Sequence, residues 1–167
     1  CSLLSCSLNA PPLIVEPFAN DNWLRHTYPN VITNDLNPIY DTDYNLEAHD
    51  FAKEIRRERS DPPEVDLILF DPPWTLNQLK TSYEGIGQHL ELWQAQNKWG
   101  QCRSDLAHAV KPGGIVMSWG YESHGFGWRR GFKDLEMLIG VQSYQADRYD
   151  ILCIVEQKVQ KTLRPKA

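Results

Sequence analysis

The feature that most constrains the fold of this 167-residue chain is a series of short, continuous apolar runs separated by helix-like segments. Continuous runs, unlike alternating ones, are typical of strands covered on both faces, as in a parallel sheet. Strands that alternate with helices predict an α/β, doubly wound domain. The runs are Leu13–Val15, Val31–Thr33, Leu67–Phe70, Ile115–Met117, Leu138–Val141 and Ile151–Val155.

Helices are predicted between these runs over Ala48–Arg59 and within Leu90–Val110. Only the turn-like segment 142–149 separates the last two apolar runs, which predicts an antiparallel pair at one edge of the sheet. The basic and polar residues 158–167 are expected to form a frayed tail. No repeat or linker divides the chain, so residues 1–167 are predicted to form a single domain.

Composition and cysteine spacing exclude several classes of protein. The chain is 41% hydrophobic and 23% charged, which is typical of a globular domain and not of a disordered chain. No apolar stretch approaches the ~20 residues that cross a bilayer, so no membrane partner is expected. Its cysteines are scattered without a C-x-x-C pair, which argues against a metal or disulfide framework and indicates a reducing cytoplasm. The start at Cys1, with no signal peptide, is interpreted as a fragment or processed chain that lacks an N-terminal helix.

Charge is divided unevenly along the chain. Residues 1–71 carry 13 acidic and 5 basic side chains, a net charge of −8, whereas residues 72–167 carry 9 acidic and 12 basic ones, a net charge of +3. Variation in surface charge is the simplest explanation of this split taken alone. It nevertheless permits the second half to face a polyanion such as DNA.

The most specific signal is Asp71-Pro72-Pro73-Trp74, which directly follows the apolar run Leu67–Phe70. An exocyclic amine on a planar ring is a poor nucleophile because its lone pair is delocalised into the ring. A carboxylate and a backbone carbonyl that each accept one N–H can orient that nitrogen and draw it toward tetrahedral geometry. The prolines stiffen the loop, and Trp74 offers a flat surface for a base that has flipped out of a duplex.

A second Asp-Pro-Pro, at Asp61–Pro63, provides an internal comparison. It lies between a charged helix and the next strand, and Glu64 rather than an aromatic residue follows it. We interpret it as a turn, since Asp and Pro both favour turns. The chemistry is therefore assigned to Asp71–Trp74 alone.

Further stretches occur in a fixed order around this motif: Glu16–Asn20, Thr33–Pro38, Asp41–Tyr44, Lys111–Gly114, Trp119–Gly127 and Arg130–Phe132. Together with Phe70–Trp74 they span nearly the whole chain. In this order they resemble the Asp-Pro-Pro-aromatic amino-methyltransferases, which are N6-adenine and N4-cytosine DNA methylases. More narrowly, the chain resembles a family of small phage and bacterial DNA adenine methylase-like proteins.

The resemblance implies a Rossmann-like methyltransferase domain that uses S-adenosylmethionine to methylate the exocyclic amine of a flipped base, with adenine N6 preferred. Cytosine N4, RNA or a free nucleobase are alternative targets, and a non-catalytic subunit that binds nucleic acid is an alternative from another class. The implied target-amine site is Asp71, Pro72, Pro73 and Trp74. The implied cofactor site is Glu16, Pro17, Phe18, Ala19, Asn20, Asp35, Leu36, Glu47, Ala48, Asp71 and Trp119.

Four positions depart from the resembled pattern. Many methyltransferases have Gly where this chain has Asn20 and Asn22, and Asn tolerates the left-handed conformation better than most residues. Glu47, expected after a short strand Tyr44–Leu46, stands where the family commonly has Asp, and Trp74 stands where it commonly has Tyr. Both replacements keep the chemistry and change the reach of the side chain.

Contacts with nucleic acid are expected from side chains beyond the catalytic loop, namely Lys80, Tyr83, Arg129 and Arg130. The length leaves little room for a separate recognition domain, so specificity is expected from the segment Thr75–Gln101, from a partner or from a missing N-terminal part. Trp99 is interpreted as a core or dimer-face residue. DNA is the expected partner, together with a homodimer or recognition subunit, in the cytoplasm of a bacterium or of a phage host.

Overall fold

The computed structural model describes residues 10–21, 23–90, 98–141 and 150–159. The strands within these ranges are β1 (Ile14–Glu16), β2 (Val31–Thr33), β3 (Val65–Phe70), β4 (Val110–Gly120), β5 (Phe132–Gly140) and β6 (Ile151–Lys158). The helices are α1 (Trp23–Thr27), α2 (Ala48–Arg59), α3 (Leu76–Gly85) and α4 (Lys98–Ala109), with a 3-10 turn at Trp128–Arg130.

The strands form one mixed sheet in the order β2-β1-β3-β4-β6-β5. Strands β2, β1, β3 and β4 run parallel, and β6 runs antiparallel to both β4 and β5. The predicted α/β class, the mostly parallel sheet and the antiparallel C-terminal pair are all confirmed. This order places the carboxyl ends of β1, β2 and β3 side by side at one rim, where ligands bind in such sheets.

Helices α2 and α4 pack together over one face of the sheet. Phe51 and Ile55 of α2 are fully buried in the same apolar cluster as Leu106 of α4. Burying side chains of this size contributes roughly 1.5–3 kcal/mol each. An ion pair between Arg56 and the buried carboxylate of Asp105, with 2.6 Å between Nη1 and Oδ1, also joins the two helices.

The opposite face of the sheet is less completely covered than the apolar runs predicted. In β3, Ile68 and Phe70 are fully buried against the α2–α4 layer, whereas the alternate residues Leu67 and Leu69 are only partly buried. The alternation shows that one face of this strand is more deeply buried than the other.

Strand β5 forms an exposed edge of the sheet. It begins at Phe132, six residues before the apolar run that predicted it, and only Phe132 itself is buried. Its apolar side chains at Leu135, Met137 and Ile139 are between 50% and 62% exposed. The early start has a simple cause: backbone pairing with β6 extends the strand through polar residues that an apolar pattern does not mark.

Three boundaries expected from the sequence need correction. Tyr44–Leu46 is not a strand, because only Tyr44 makes an isolated parallel bridge, to Asn34. Lys158 is not frayed: it ends β6, is buried, and its ammonium group donates to the backbone oxygen of Ala107 at 2.9 Å. Leu90 lies outside any helix and α4 begins at Lys98, while residues 91–97 and 160–167 lie outside the described residues.

None of the helices in the described part of the chain combines the length and apolar character needed to cross a membrane.

Candidate active site

Phe70 anchors the loop that carries the Asp-Pro-Pro-Trp motif. Its fully buried ring meets Phe18 and Phe126 edge to face, with ring centroids 5.3 and 5.5 Å away. Edge-to-face pairs of this kind add roughly 0.5–1.5 kcal/mol beyond the area they bury. The end of β3 is therefore rigid, and the next residue, Asp71, is exposed on the wall of a cavity.

A capping box ties the same loop to helix α3. The side chain of Thr75 accepts a hydrogen bond from the backbone N–H of Gln78 at 3.1 Å. In return, Oε1 of Gln78 accepts from the backbone N–H groups of Trp74 and Thr75 at 2.9 and 3.0 Å. The spacing Thr-x-x-Gln is the sequence signature of this arrangement, so the role of Gln78 was readable from the sequence.

Trp74 and Asp71 are bonded to each other within the motif. The indole Nε1–H of Trp74 donates to Oδ1 of Asp71 at 2.8 Å. The indole also packs against Tyr121, which follows β4, with 5.1 Å between ring centroids and 68° between ring planes. Asp71 is exposed as a whole residue, but its carboxyl end is partly desolvated. This desolvation raises the pKa of the carboxyl, and the bond from Trp74 acts in the opposite direction.

The loop after β1 has the conformation that its asparagine allows. Asn20 adopts a φ of 48°, in the left-handed region, as expected for an Asn that replaces Gly. Its backbone N–H donates to Oδ2 of Asp35 at 3.0 Å, and the N–H of Asn37 donates to Oδ1 at 2.8 Å. Asp35 thus orders the β1 and β2 loops, and each of its oxygens keeps a second lone pair for a ligand hydroxyl.

Asn34 is a site residue that the sequence analysis missed. It is buried, and its side-chain amide donates to the backbone oxygens of Pro17 and Leu46 at 3.0 and 3.1 Å. Its Oδ1 accepts from the N–H of Leu46 at 2.9 Å. One side chain therefore joins the loop after β1 to the segment that leads to Glu47. Its position at the end of β2, next to Asp35, was the signal that could have identified it.

Glu47 connects the start of α2 with helix α3. Its Oε2 accepts from the backbone N–H of His49, and its Oε1 accepts from the phenol of Tyr83 at 2.5 Å. Tyr83 is buried, and its pKa is raised by burial and by this carboxylate. Tyr83, which was expected to touch nucleic acid, lies on the cavity wall beside Glu47, and its contact with nucleic acid stays a prediction.

Glu16, at the end of β1, carries a carboxyl with one buried oxygen, Oε2, that has no hydrogen-bond partner among the described residues. Burial raises its pKa to about 7, and the charges of Asp21 and Asp71 act in the same direction. A cation bound beside Glu16 would favour the ionised form. The end of β1 is therefore acidic and carries an unused acceptor.

A cavity of about 450 Å³ lies at this rim, within the usual range for small-molecule sites. Most of the residues expected at the site line it. Those from the expected cofactor and target-amine sites are Pro17, Phe18, Asn20, Asp35, Leu36, Glu47, Ala48, Asp71, Pro72, Pro73 and Trp74. The described wall does not include Glu16, Ala19 or Trp119. Trp99, expected in the core or at a dimer face, also lines the cavity and meets Phe18 at 5.1 Å.

The side chains expected to contact nucleic acid differ in the partners that they have within the protein. Lys80 is exposed on α3 and pairs with Glu84 at 3.5 Å, and Arg129 lies over the exposed ring of Trp128. Arg130 instead donates to protein acceptors: Oγ of Ser104 and the backbone oxygens of Phe126 and Gly100. The expectation that Arg130 contacts phosphate is corrected to a role inside the fold, because its guanidinium joins α4 to the loop before β5.

A mixed sheet of this order, with a cavity at the carboxyl ends of its first parallel strands and an acidic residue after β2, defines a Rossmann-like methyltransferase fold. Solved structures bear out this class. A candidate methylase from Haemophilus influenzae is 13% identical with a TM-score of 0.56, and the match covers 90% of this chain and 81% of that one. The 1,6-didemethyltoxoflavin-N1-methyltransferase of Burkholderia thailandensis, with bound 1,6-didemethyltoxoflavin and S-adenosylhomocysteine, is 11% identical with a TM-score of 0.56, and the match covers 92% of this chain and 73% of that one.

TrmN from Thermus thermophilus is 17% identical with a TM-score of 0.50, and the match covers 89% of this chain but 45% of TrmN. This chain therefore spans less than half of that protein. No protein-family model and no curated protein matches the sequence. At these identities the likeness establishes the fold, and the substrate has to be argued from the site.

Proposed function

We propose that the chain is an S-adenosylmethionine-dependent methyltransferase that acts on the exocyclic amine of a nucleobase, with adenine N6 in DNA as the preferred target. The observation that carries the proposal is Asp71: a carboxylate on a stiff loop, exposed beside an aromatic ring, at the wall of a cavity of about 450 Å³. Cytosine N4 and RNA share the same amine chemistry and are outcomes of the test below.

The residues present fit the proposed cofactor. Asp35 stands at the end of β2 with lone pairs to spare, which suits ribose hydroxyls. The unpartnered oxygen of Glu16 and the acidic surroundings suit a cation. A neighbour of the same fold, the Burkholderia thailandensis enzyme, binds S-adenosylhomocysteine. When bound, the cofactor would supply a methyl group on a positively charged sulfur.

The protein's own part in the reaction is positioning. Asp71 accepts one N–H of the target amine, and a backbone oxygen of the stiff Pro72–Pro73 segment accepts the other, which turns the nitrogen lone pair toward the methyl group. With the cofactor bound, the methyl group would pass from its sulfur to the amine nitrogen, and the cofactor would be left as a neutral thioether. The nitrogen loses one proton, which the Asp71 carboxylate accepts and passes to solvent. Trp74 packs against the target ring.

The decisive experiment measures transfer of a labelled methyl group from S-adenosylmethionine to DNA, RNA oligonucleotides and free adenine. Wild-type chain is compared with Asp71→Ala, and Asp61→Ala is the matched control because Asp61 belongs to the exposed second Asp-Pro-Pro. We expect Asp71→Ala to lose at least about a hundredfold in rate, since a positioned polar contact at the reacting group contributes on that order. Asp61→Ala should keep wild-type activity.

Mass spectrometry of the digested product separates N6-methyladenine from N4-methylcytosine and from methylated RNA. Undiminished transfer by Asp71→Ala would overturn the assignment of Asp71. Retained DNA binding with no affinity for S-adenosylmethionine, measured by calorimetry, would identify a non-catalytic subunit instead. A homodimer or recognition subunit is proposed as the partner, and light scattering of the chain with and without DNA tests it.

A further inference from the structure

We propose that the indole N–H of Trp74 is a positioning group for Asp71, which occupies Oδ1 of the carboxylate and leaves Oδ2 to accept the N–H of the target amine. This inference rests on the proposed function, because it assigns a second task within the same site. Stacking against a base does not require an N–H donor, because Phe offers an aromatic surface without one.

The bond is held in place from both sides. The indole Nε1 lies 2.8 Å from Oδ1 of Asp71, within the normal range for a hydrogen bond to a charged acceptor. The backbone N–H of Trp74 is fixed by Oε1 of Gln78 at 2.9 Å, and the ring is packed against Tyr121. The Gln78 bond therefore fixes the backbone that carries the indole, and the indole cannot swing away without losing its contact with Tyr121.

Oδ2 of Asp71 accepts no hydrogen bond from the described residues, so the carboxylate is left half-occupied. A carboxylate group that is free to rotate could present either of its oxygens to a ligand. A donor fixed on Oδ1 removes this freedom and sets the plane in which Oδ2 approaches the amine. Orientation of this kind contributes to catalysis because it is established before the substrate arrives.

The donor also acts on the ionisation of Asp71. Burial raises the pKa of this carboxyl, while the Trp74 bond lowers it. Among the described titratable groups, Glu16 at the end of β1 and Cys153 on β6 interact with Asp71, whose negative charge raises the pKa of both. The indole of Trp74 differs from these two groups because it is a donor at every pH of interest and neither gains nor loses a proton. Removing it leaves only influences that favour the protonated, inactive carboxyl.

Nuclear magnetic resonance of the indole Nε1–H tests the bond without requiring activity. The Trp74 resonance, assigned by its loss in Trp74→Phe, should lie downfield, exchange slowly with solvent and move as pH falls through the Asp71 titration. In Asp71→Ala it should shift upfield and exchange faster. The exposed Trp128 gives the matched control resonance and should show neither effect.

The pH dependence of methyl transfer tests the consequence for function. In Trp74→Phe we expect the acidic limb of kcat to move upward by about one pH unit, so that kcat at any pH on that limb falls about tenfold, which is the scale of one hydrogen bond to a charged group. The KM for S-adenosylmethionine should be unchanged. Trp128→Phe should leave the profile in place. Replacing Trp74 by β-(3-benzothienyl)alanine keeps the bicyclic ring and removes the N–H. This variant should show the same pH profile as Trp74→Phe.

The outcomes separate this inference from the proposed function. If the wild-type chain methylates no amine, the proposed function fails, while the resonance still decides whether the Trp74–Asp71 bond exists. If the wild type is active and Trp74→Phe or the benzothienyl variant keeps the wild-type acidic limb, the positioning role is overturned. A Trp74 resonance that is insensitive to Asp71→Ala overturns it as well.

Discussion

Glu16 is the residue at which stability and ligand binding oppose each other. Its carboxyl is half-buried with one oxygen unpartnered, and its pKa is raised to about 7 from an ordinary value of 4.5. The folded chain therefore holds a proton at Glu16 that the unfolded chain releases. Between pH 4.5 and 7 this difference makes the free energy of unfolding fall as pH rises, and above pH 7 the full cost of the buried charge is present.

Replacing Glu16 by Gln is expected to stabilise the protein at pH 8 by about 1 kcal/mol, a figure reduced for partial access to water, and to have little effect at pH 4.5. Denaturant unfolding at the two pH values measures this change. The same variant should bind S-adenosylmethionine more weakly at pH 8 in calorimetry, because an attraction for the cationic cofactor is lost. The exposed Glu64→Gln serves as the control and should follow the wild type at both pH values. Equal stabilisation at pH 4.5 and pH 8 would rule out an ionised, desolvated carboxylate as the cause.

At the scale of elements, helix α3 and the Asp-Pro-Pro-Trp loop form one unit. The capping box of Thr75 and Gln78 satisfies the N-terminus of α3 and holds the backbone of Trp74 at the same time. Tyr83, near the other end of the helix, bonds to Glu47. Helix α3 therefore links the Asp-Pro-Pro-Trp loop with the side of the cavity where the cofactor is expected.

Loss of the cap tests this linkage. Thr75→Ala should lower the free energy of unfolding by about 1 kcal/mol, as caps commonly do, and should also reduce methyl transfer, because the loop that carries Asp71 and Trp74 loosens. Circular dichroism melts and the labelled-methyl assay measure the two effects. Asn77→Ala, at an exposed position on the same helix, is the comparison and should preserve both. An active Thr75→Ala variant with the expected loss of stability would show that the cap does not position the loop.

The loop after β4 is built around one buried carboxylate. Glu156 on β6 accepts hydrogen bonds from the backbone N–H groups of Phe126 and Gly127 at 2.5 and 2.6 Å. A Cβ at position 125 would lie 2.0 Å from Oε2 of Glu156. The glycine at position 125 is therefore required by the close approach of Glu156.

Gly125→Ala is accordingly expected to destabilise the fold by more than about 2 kcal/mol, since the carboxylate cannot retreat without leaving buried groups unsatisfied. Gly100→Ala, at a helical position with open space around it, should be neutral or stabilising. Chemical denaturation of both variants gives the comparison. Equal stabilities for the two would contradict the close approach at position 125.

These elements show which features of the fold and of the site could be predicted from the sequence. The apolar runs predicted the sheet and its antiparallel pair, and the Asp71–Trp74 motif together with the family resemblance predicted eleven of the residues that line the cavity. Contacts between distant residues were not readable: Gly125 meets Glu156, and Tyr83 bonds Glu47, across long intervals of chain. Arg129 and Arg130 are adjacent and identical in the sequence, which does not show which of them faces inward. The fold decides this: Arg130 bonds to Phe126, and Arg129 lies over Trp128.

At the scale of the whole molecule, charge limits any binding to DNA. The formal net charge is −5, so association with a polyanion has to depend on a few local cations and should weaken steeply with salt. Arg129 and Arg130 make a matched pair for this purpose. One guanidinium lies over the exposed Trp128, and the other is bonded inside the fold.

We expect Arg129→Ala to weaken DNA binding at low salt and to lower the slope of log K against log salt by about one, with unchanged stability. Arg130→Ala should instead lower the free energy of unfolding by about 2 kcal/mol, because three internal acceptors lose their donor. Fluorescence anisotropy across a salt series and thermal melts provide the two readouts. An unchanged salt slope in Arg129→Ala would remove this residue from the interface.

Lys158 sets a practical limit for anyone who wishes to trim the chain. By composition it belongs to the basic end of the sequence, and a cut before it looks harmless. Its ammonium group, however, donates to the carbonyls of Ala107 and Arg130 and lies 4.6 Å from the centre of the Phe132 ring. A chain shortened to residue 157 would lose these contacts between the end of α4 and the start of β5. The minimal folding unit therefore has to include Lys158.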